Sequence, residues 1–316
     1  MYNFTPYGYH WNYSSKLLQH VSLLDPVQTV SKKELQTSHH SYTYEKQIGK
    51  GSYGTIFKAR SDKNDLVAIK RVKVQDTIEL WEMVREIIIQ IILYEVTKDL
   101  PDGPYVPAIY EMAYDATKHH FYSVQELMDG TLESLIKKRS KRENETQLPE
   151  DLVEIATKLE WLGTHLKFNH RDFKSDNVMY KKTSKGYSLR LIDFGMSCLT
   201  WKDIPFTATK TLFPPSHECY RSSRDLTALL FEITRFEPDF LSKKTLDDLE
   251  TRLSFSKNLQ SMNWKNTYNY LNRKNIENPK ATPRSIRMTM KSPKQARRYS
   301  RKTCRQLRVS NESYSI

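Results

Sequence analysis

The densest concentration of reactive side chains lies in Phe168-Asn169-His170-Arg171-Asp172-Phe173-Lys174-Ser175-Asp176-Asn177-Val178-Met179. Here an acid, a base and an amide fall within six positions, immediately before an apolar run. Moving a phosphoryl group needs a carboxylate to orient and accept the proton of the attacking hydroxyl. It also needs a cation on the moving group and hard oxygen ligands for a divalent metal. Asp172, Lys174 and Asn177 supply those three. Further on, Leu191-Ile192-Asp193-Phe194-Gly195 ends an apolar run in an acid, an aromatic and a glycine. That arrangement suits a second metal ligand on a hinge. A polar turn at Thr183–Gly186 separates two short strands, Val178–Lys181 and Leu189–Ile192, so a hairpin would bring Asn177 and Asp193 side by side.

Two further segments fit the same chemistry. Gly49-Lys50-Gly51-Ser52-Tyr53-Gly54 is followed by Thr55-Ile56-Phe57-Lys58-Ala59, which reads as a strand. A dinucleotide-binding fingerprint would open a helix there instead. The glycines therefore sit at a hairpin tip, where backbone N–H groups can approach phosphate oxygens with no Cβ in the way. Val67-Ala68-Ile69-Lys70 places a lysine in an apolar strand, which is costly unless the charge is paired. Glu86 in the following helix is the expected partner, with Glu82 one turn earlier as the alternative.

The elements that would position these groups follow from periodicity. Tyr44–Ile48, Thr55–Ala59 and Leu66–Val72 alternate like strands. Thr77–Val96 repeats apolar residues at helical spacing and ends at a turn cluster from Asp99 to Pro104. Val106–Tyr114 and Phe121–Glu126 read as another strand pair. After a crossing near Leu127–Gly130 the chain turns helical, with Thr131–Arg139, Asp151–Phe168 starting after Pro149, Leu226–Phe236 and Lys243–Leu253. Residues 1–41 show no clear periodicity. The expectation is an α+β chain with a strand-rich half, a helix-rich half and a ligand cleft between them.

Composition bounds the rest. The chain has 316 residues, a net charge of +13 and 38% apolar content, with a mean hydropathy of −0.68. No apolar run reaches the eighteen residues of a membrane span. Cys198, Cys219 and Cys304 are odd in number and widely spaced, so neither a zinc site nor a disulfide is expected, and the compartment is read as reducing and intracellular. From Ala281 onward ten basic residues face Glu312 alone. This tail reads either as a solvated segment or as a contact for nucleic acid, acidic protein or an anionic surface.

Taken in order, the four segments resemble the glycine-rich loop, VAIK strand, HRDxKxxN loop and DFG of the protein kinase superfamily. The resemblance is clear from Tyr42 to Phe236 and extends toward Ile286. It implies a two-lobed fold with ATP and Mg2+ (or Mn2+) in the cleft. The domains would be an extension at 1–41, a kinase domain at 42–286 (N-lobe 42–126, hinge 127–130, shortened C-lobe 131–286) and a basic tail at 287–316. By matching position, Asp172 would be the catalytic base and Lys174 the cation on the transferring phosphate. Lys70, paired with Glu86, would contact the α- and β-phosphates. Asn177 and Asp193 would be the metal ligands.

The resemblance also implies the rest of the nucleotide site. Ile48, Ile56, Ala68 and Met179 would sandwich the adenine. Residues Gly49, Lys50, Gly51, Ser52, Tyr53, Gly54 and Thr55 would cover the phosphates. Glu126 and Leu127 would offer hinge backbone groups, with Gln125 as gatekeeper, and Asp225 would brace the catalytic loop. Lys174 two residues after the base resembles the serine/threonine branch, which acts on protein substrates. Arg171 implies control by phosphorylation at Thr207, Thr209 or Thr211. Three features depart from the pattern. No APE follows the DFG, with Pro214-Pro215-Ser216-His217-Glu218 as its stand-in; Phe173 replaces leucine; and the region after Asp225 is short. The FNHRDFKSDNVMY phrase looks similar to divergent kinases of large DNA viruses. Two other classes compete. A pseudokinase scaffold would typically lack one of Lys70, Asp172, Asn177 and Asp193. A small-molecule kinase would generally lack the glycine loop, VAIK and Lys174.

Overall fold

In a computed structural model of the chain, residues 25–51, 54–184, 186–202, 204–206, 224–233 and 243–253 are described. The glycine-rich hairpin forms as its residues dictate. β4 (Ser41–Gly51) and β5 (Gly54–Ser61) pair antiparallel, with Gly51 opposite Gly54 at the tip. A Cβ on Gly54 would sit 2.3 Å from the Arg71 carbonyl oxygen, at a φ of +152° that side chains rarely adopt, so the position requires glycine. β6 (Leu66–Lys73), which carries Lys70, pairs with β5 and with β8 (His120–Glu126). β8 in turn pairs with β7 (Ile109–Asp115). These strands fall where alternation predicts them.

The segment ahead of Tyr42, read from sequence as lacking periodicity, contributes three short strands. β1 (Asp25–Pro26) runs parallel to β7 at one edge of the sheet. β2 (Thr29–Val30) and β3 (Glu34–Gln36) pair at the other edge beside β4. The sheet order is β1-β7-β8-β6-β5-β4-β3-β2. Consecutive residues bind its two edges, Val27 N–H donating to the Tyr114 carbonyl at 3.2 Å and Gln28 N–H to the Gln36 carbonyl at 2.9 Å. The strap therefore curls the sheet round on itself. Leu35, Tyr42, Ala59, Val67, Ile69, Ala113, Tyr122 and Val124 form the core inside the curl, with Val27, Val30 and Tyr44 packed against it. Burying each of the larger aliphatic members is worth about 1.5–3 kcal/mol, and Leu35 brings that contribution from the strap itself.

On the other face lies α1 (Thr77–Thr97), started by Asp76, whose side chain accepts from Glu79 N–H at 2.8 Å. Its apolar stripe, including Leu80, Val84, Ile88 and Ile91, is buried, and Glu86 is buried with it.

Past the hinge, Thr131 caps α2 (Leu132–Lys138). The next helix corrects the sequence reading. Pro149 does not precede it but lies inside α3 (Lys141–Leu166). Ser140 and Glu143 form a capping box that fixes the first turn ten residues before the expected start. A proline inside a helix removes one backbone bond, and here it is buried. β10 (Val178–Thr183) and β11 (Gly186–Leu191) form the expected hairpin, and β10 also pairs with β9 (Gly130–Thr131). β12 (Leu199–Trp201) and β13 (Ile204–Phe206) form a small hairpin. α4 (Arg224–Ile233) and α5 (Lys243–Arg252) pack on α3. Among the described residues no helix is long and apolar enough to cross a membrane.

Candidate active site

Lys70 points from β6 toward α1, and its Nζ donates to Glu86 Oε1 at 2.7 Å. Glu86, the first of the two acids expected for this role, is thus the partner. Its side chain is only 7% exposed. A carboxylate so buried needs its cation, and the cation in turn is held at a fixed height over the cleft.

The catalytic-loop segment is built by α4. The buried Asp225 carboxylate accepts three bonds at once. Asn169 Nδ2 and His170 N–H donate to Oδ2 at 3.0 and 2.7 Å, and Arg171 N–H donates to Oδ1 at 2.9 Å. Arg171 is held in the left-handed region at a φ of 68°, an uncommon position for a side-chain-bearing residue. Seven residues along α4, on the same helix face, Glu232 accepts from Ser175 N–H at 2.5 Å. The His170 ring is bonded to the Ile192 carbonyl at 2.8 Å and lies 5.5 Å from the Phe194 ring. Phe194 is fully buried, so the aromatic after Asp193 anchors that turn.

Between these braces sits the reactive group. Lys174 Nζ donates to Asp172 Oδ2 at 3.0 Å, and Asn177 Nδ2 donates to the Asp172 carbonyl at 2.8 Å. Burial works to lower the Lys174 ammonium. The Asp172 carboxylate bonded to it, with Asp193 and Asp176 nearby, more than offsets this and holds it above the ordinary lysine value. Asp172 is 47% exposed, so a substrate can reach it. Ile192 N–H donates to the Asn177 carbonyl at 3.0 Å, which places Asn177 beside Asp193 as the hairpin predicts. Asp193 is itself left-handed, at a φ of 66°. A Cβ on Gly195 would lie 3.4 Å from Glu86 Oε2 and 3.6 Å from Asp193 Oδ1. The Lys70–Glu86 pair and the Asp193 turn therefore meet at Gly195.

The residues expected to hold the adenine lie on four strands. Ile48 and Ile56 lie on the glycine hairpin, Ala68 on β6 and Met179 on β10. Ile48 is 45% exposed. The hinge strand is pinned by Glu126 N–H donating to the Ala108 carbonyl at 2.9 Å, and Lys181 Nζ holds the Leu127 carbonyl at 2.5 Å. Gln125 faces Gln90 of α1, whose amide donates to the Pro107 carbonyl at 2.9 Å. Gly49, Lys50, Gly51, Gly54 and Thr55 form the hairpin arms. Ser52 and Tyr53 lie outside the described residues, as do Thr207, Thr209, Thr211, the Pro214–Glu218 segment and the basic tail.

Sequence reading missed four contributors. Arg85 Nη2 donates to the Gly195 carbonyl at 2.8 Å, a partner 110 positions away that no local pattern reveals. Lys181 and Gln90 act through tertiary contacts of the same kind. Glu232 was legible in principle, since its seven-residue spacing from Asp225 puts both on one helix face. One expectation is overturned. Cys198 is disulfide-bonded, its partner lying outside the described residues, because separation along the chain does not limit approach in space.

The arrangement combines a paired lysine, a solvent-reachable carboxylate with its own cation, and an amide brought close to a second carboxylate. It is that of a phosphotransfer site. Comparison with known proteins agrees. The family model described as "Protein kinase domain" matches residues 42–307. A probable serine/threonine-protein kinase of Dictyostelium discoideum is 27% identical over 256 residues, 78% of this chain and 48% of its own length. The serine/threonine-protein kinase MAK of Mus musculus is 25% identical over 257 residues, 78% of this chain and 39% of its own. Cyclin-dependent kinase 12 of Drosophila melanogaster is 31% identical over 165 residues, 48% of this chain and 13% of its own. The chain thus spans less than half the length of these curated relatives. With the family match covering most of its length, on the two-lobed fold described above, the chain belongs to the protein kinase family.

Proposed function

We propose that this chain is an active serine/threonine protein kinase that transfers the γ-phosphoryl group of Mg-ATP to Ser or Thr hydroxyls of proteins. The observation that carries the reading is the Asp172–Lys174–Asn177 cluster, held rigid from behind by Asp225 and Glu232 and open to solvent in front. Asp172 orients the attacking hydroxyl and accepts its proton as the new P–O bond forms and the bond to the ADP leaving oxygen breaks. Lys174, kept charged by Asp172, offsets charge on the moving group. Lys70 holds the α- and β-phosphates and excludes nothing else from its own position, because Glu86 fixes it.

The donor set fits a divalent metal of the magnesium type. Asn177 spends its amide N–H on the Asp172 carbonyl, which turns its amide oxygen the other way, and Asp193 adds a hard carboxylate beside it. Such an ion would neutralise phosphate charge. Ile48, Ile56, Ala68 and Met179 would hold the adenine, and Glu126 and Leu127 would present hinge groups to its edge.

The reading includes an intracellular site of action, where ATP is the donor, and a likeness of the FNHRDFKSDNVMY phrase to kinases of large DNA viruses. It also includes the basic tail as a contact for acidic protein or nucleic acid. Control by phosphorylation fits Arg171, joined by Arg85, whose Nε and Nη1 are buried without a partner. The test is transfer of labelled γ-phosphate to a generic basic protein and, in parallel, to a panel of small alcohols, with phosphoamino-acid analysis. Label on serine and threonine of the protein is expected. Label on the alcohols alone would overturn the substrate class, and phosphotyrosine alone would overturn the residue specificity.

A further inference from the structure

The core inside the curled sheet is not apolar throughout. Beyond Ile69, the next inward-facing residue of β6 is Arg71, directly opposite Tyr122 of β8. Its guanidinium carbon lies 4.9 Å from the centre of the Phe57 ring, whose other neighbour is the Tyr44 ring at 4.8 Å. Tyr122 is fully buried and Tyr44 partly so, yet both hydroxyl oxygens are buried without a hydrogen-bond partner. Next to Tyr122, at 6.2 Å between rings, His120 leaves its Nδ1 buried and unpartnered as well.

The charges around this spot are one-sided. Among the described residues Arg71 makes no hydrogen bond and no ion pair. The nearby acid, Asp115, is already committed, accepting from Thr117 N–H, Thr117 Oγ1 and Lys118 N–H. Lys118 reaches across to the strap, donating to the Val30 carbonyl at 3.2 Å. Burial raises both phenols, Tyr122 to about 12. The proximity of Tyr122 raises Tyr44 further, and Arg71 pulls both back. The two hydroxyls and the guanidinium are thus within electrostatic reach of one another.

Leaving one buried hydroxyl unmade is costly, and leaving two beside an uncompensated guanidinium is more so. Arg71 and the two hydroxyls can all donate here, and the nearby carboxylate, Asp115, is already bonded to other donors. A ligand that only accepts and carries negative charge would satisfy all three groups together. We propose that the inner face of the curled N-lobe sheet, beneath the strap, holds a binding site for a small oxyanion, gripped by Arg71 and by the hydroxyls of Tyr44 and Tyr122. The site is on the far side of β6 from Lys70, since Arg71 and Lys70 are adjacent in the strand and point to opposite faces. It is therefore separate from the phosphates of the cleft. Phosphate and a carboxylate share the required chemistry, and the experiment separates them.

The test titrates the full chain with sodium phosphate and, separately, sodium acetate at constant ionic strength set with sodium chloride, following the melting temperature. The wild-type chain is compared with Arg71→Met, Tyr44→Phe and Tyr122→Phe. A saturable rise with at least one oxyanion is expected, its apparent Kd weakened about tenfold or more in Arg71→Met and by a smaller factor in each phenylalanine variant. A response to phosphate alone identifies a phosphate site, and a response to both identifies a general oxyanion site. Without added oxyanion, Tyr122→Phe should melt no lower than wild type, because the hydroxyl it removes has no partner. No saturable response to either anion would overturn the proposal. So would a response equal in all four proteins, which would assign it to the cleft or another basic site. Should Arg71→Met fail to fold, the two phenylalanine variants, which keep shape and lose only the hydroxyl, carry the test alone.

Discussion

Replacing Asp225 by asparagine tests how the catalytic loop is held. The carboxylate accepts from Asn169 and His170 on one oxygen and from Arg171 on the other. An amide offers a single acceptor oxygen. In its better orientation it keeps the first two bonds and turns its NH2 toward Arg171 N–H, so one bond to a charged acceptor is lost, worth about 1.5–3 kcal/mol. The two that remain fall from charge-assisted to neutral strength, costing about 0.5–1.5 kcal/mol each. The sum is about 2.5–6 kcal/mol, a large share of the roughly 5–15 kcal/mol that holds a domain folded. For a domain of this size the melting temperature should fall by about 5–24 °C. The released bond is the one that keeps Arg171 at its left-handed φ, immediately before Asp172. Turnover measured below the melting transition should therefore fall more steeply than affinity for ATP. Differential scanning fluorimetry with steady-state phosphotransfer assays measures both. A variant melting within 1 °C of wild type, with unchanged kcat, would refute the bracing role.

Three further outcomes are expected. Lys70→Met strands the buried Glu86 and should cost about 3–5 kcal/mol by urea unfolding; adding Glu86→Leu should recover most of that stability while phosphotransfer stays lost. Asp193→Asn should abolish metal-supported turnover with the fold intact, and near-normal turnover in that variant would contradict its place as a ligand. The third concerns pH. A hydrogen bond donated to the Glu133 carboxylate, followed by burial and the Glu133 charge, raises Asp176 from 3.8 to about 6, while Glu133 is held below 4.5. The folded state then keeps a proton on Asp176 that the unfolded state has released. The stability contributed by Asp176 is fully present below 3.8 and is lost as pH rises through about 6; the opposing gain from Glu133 is complete about one pH unit above 4.5. Urea midpoints between about pH 5.5 and 7 should show the decline, and Asp176→Asn should flatten it.

The parts of the fold visible in the sequence are those whose side chains repeat with one period over a long stretch. The strands flanking Gly49–Gly54 and the helix carrying Glu86 are of this kind. The hairpin between Asn177 and Asp193 was legible from its turn residues, and with it the closeness of those two residues' backbones. β1, β2 and β3 were not legible, because strands of two or three residues carry no alternation to detect; edge hydrogen bonds and burial of Leu35 fix them. Pro149 suggested a helix boundary, and the Ser140–Glu143 capping signature, present in the sequence, outweighed it. Arg85 and Lys181 escaped notice because each acts on a backbone carbonyl far along the chain, and any residue could supply a carbonyl.

The central claim is that Asp172 carries the chemistry of a working kinase. Its most direct test is transfer of labelled γ-phosphate from Mg-ATP to casein, histone and myelin basic protein, comparing the wild-type chain with Asp172→Asn under matched folding. The account predicts label on serine or threonine with wild type and a loss of at least about a hundredfold in the variant, the usual contribution of a positioned base. Equal labelling by the two proteins would contradict it, as would no labelling by a folded wild-type chain.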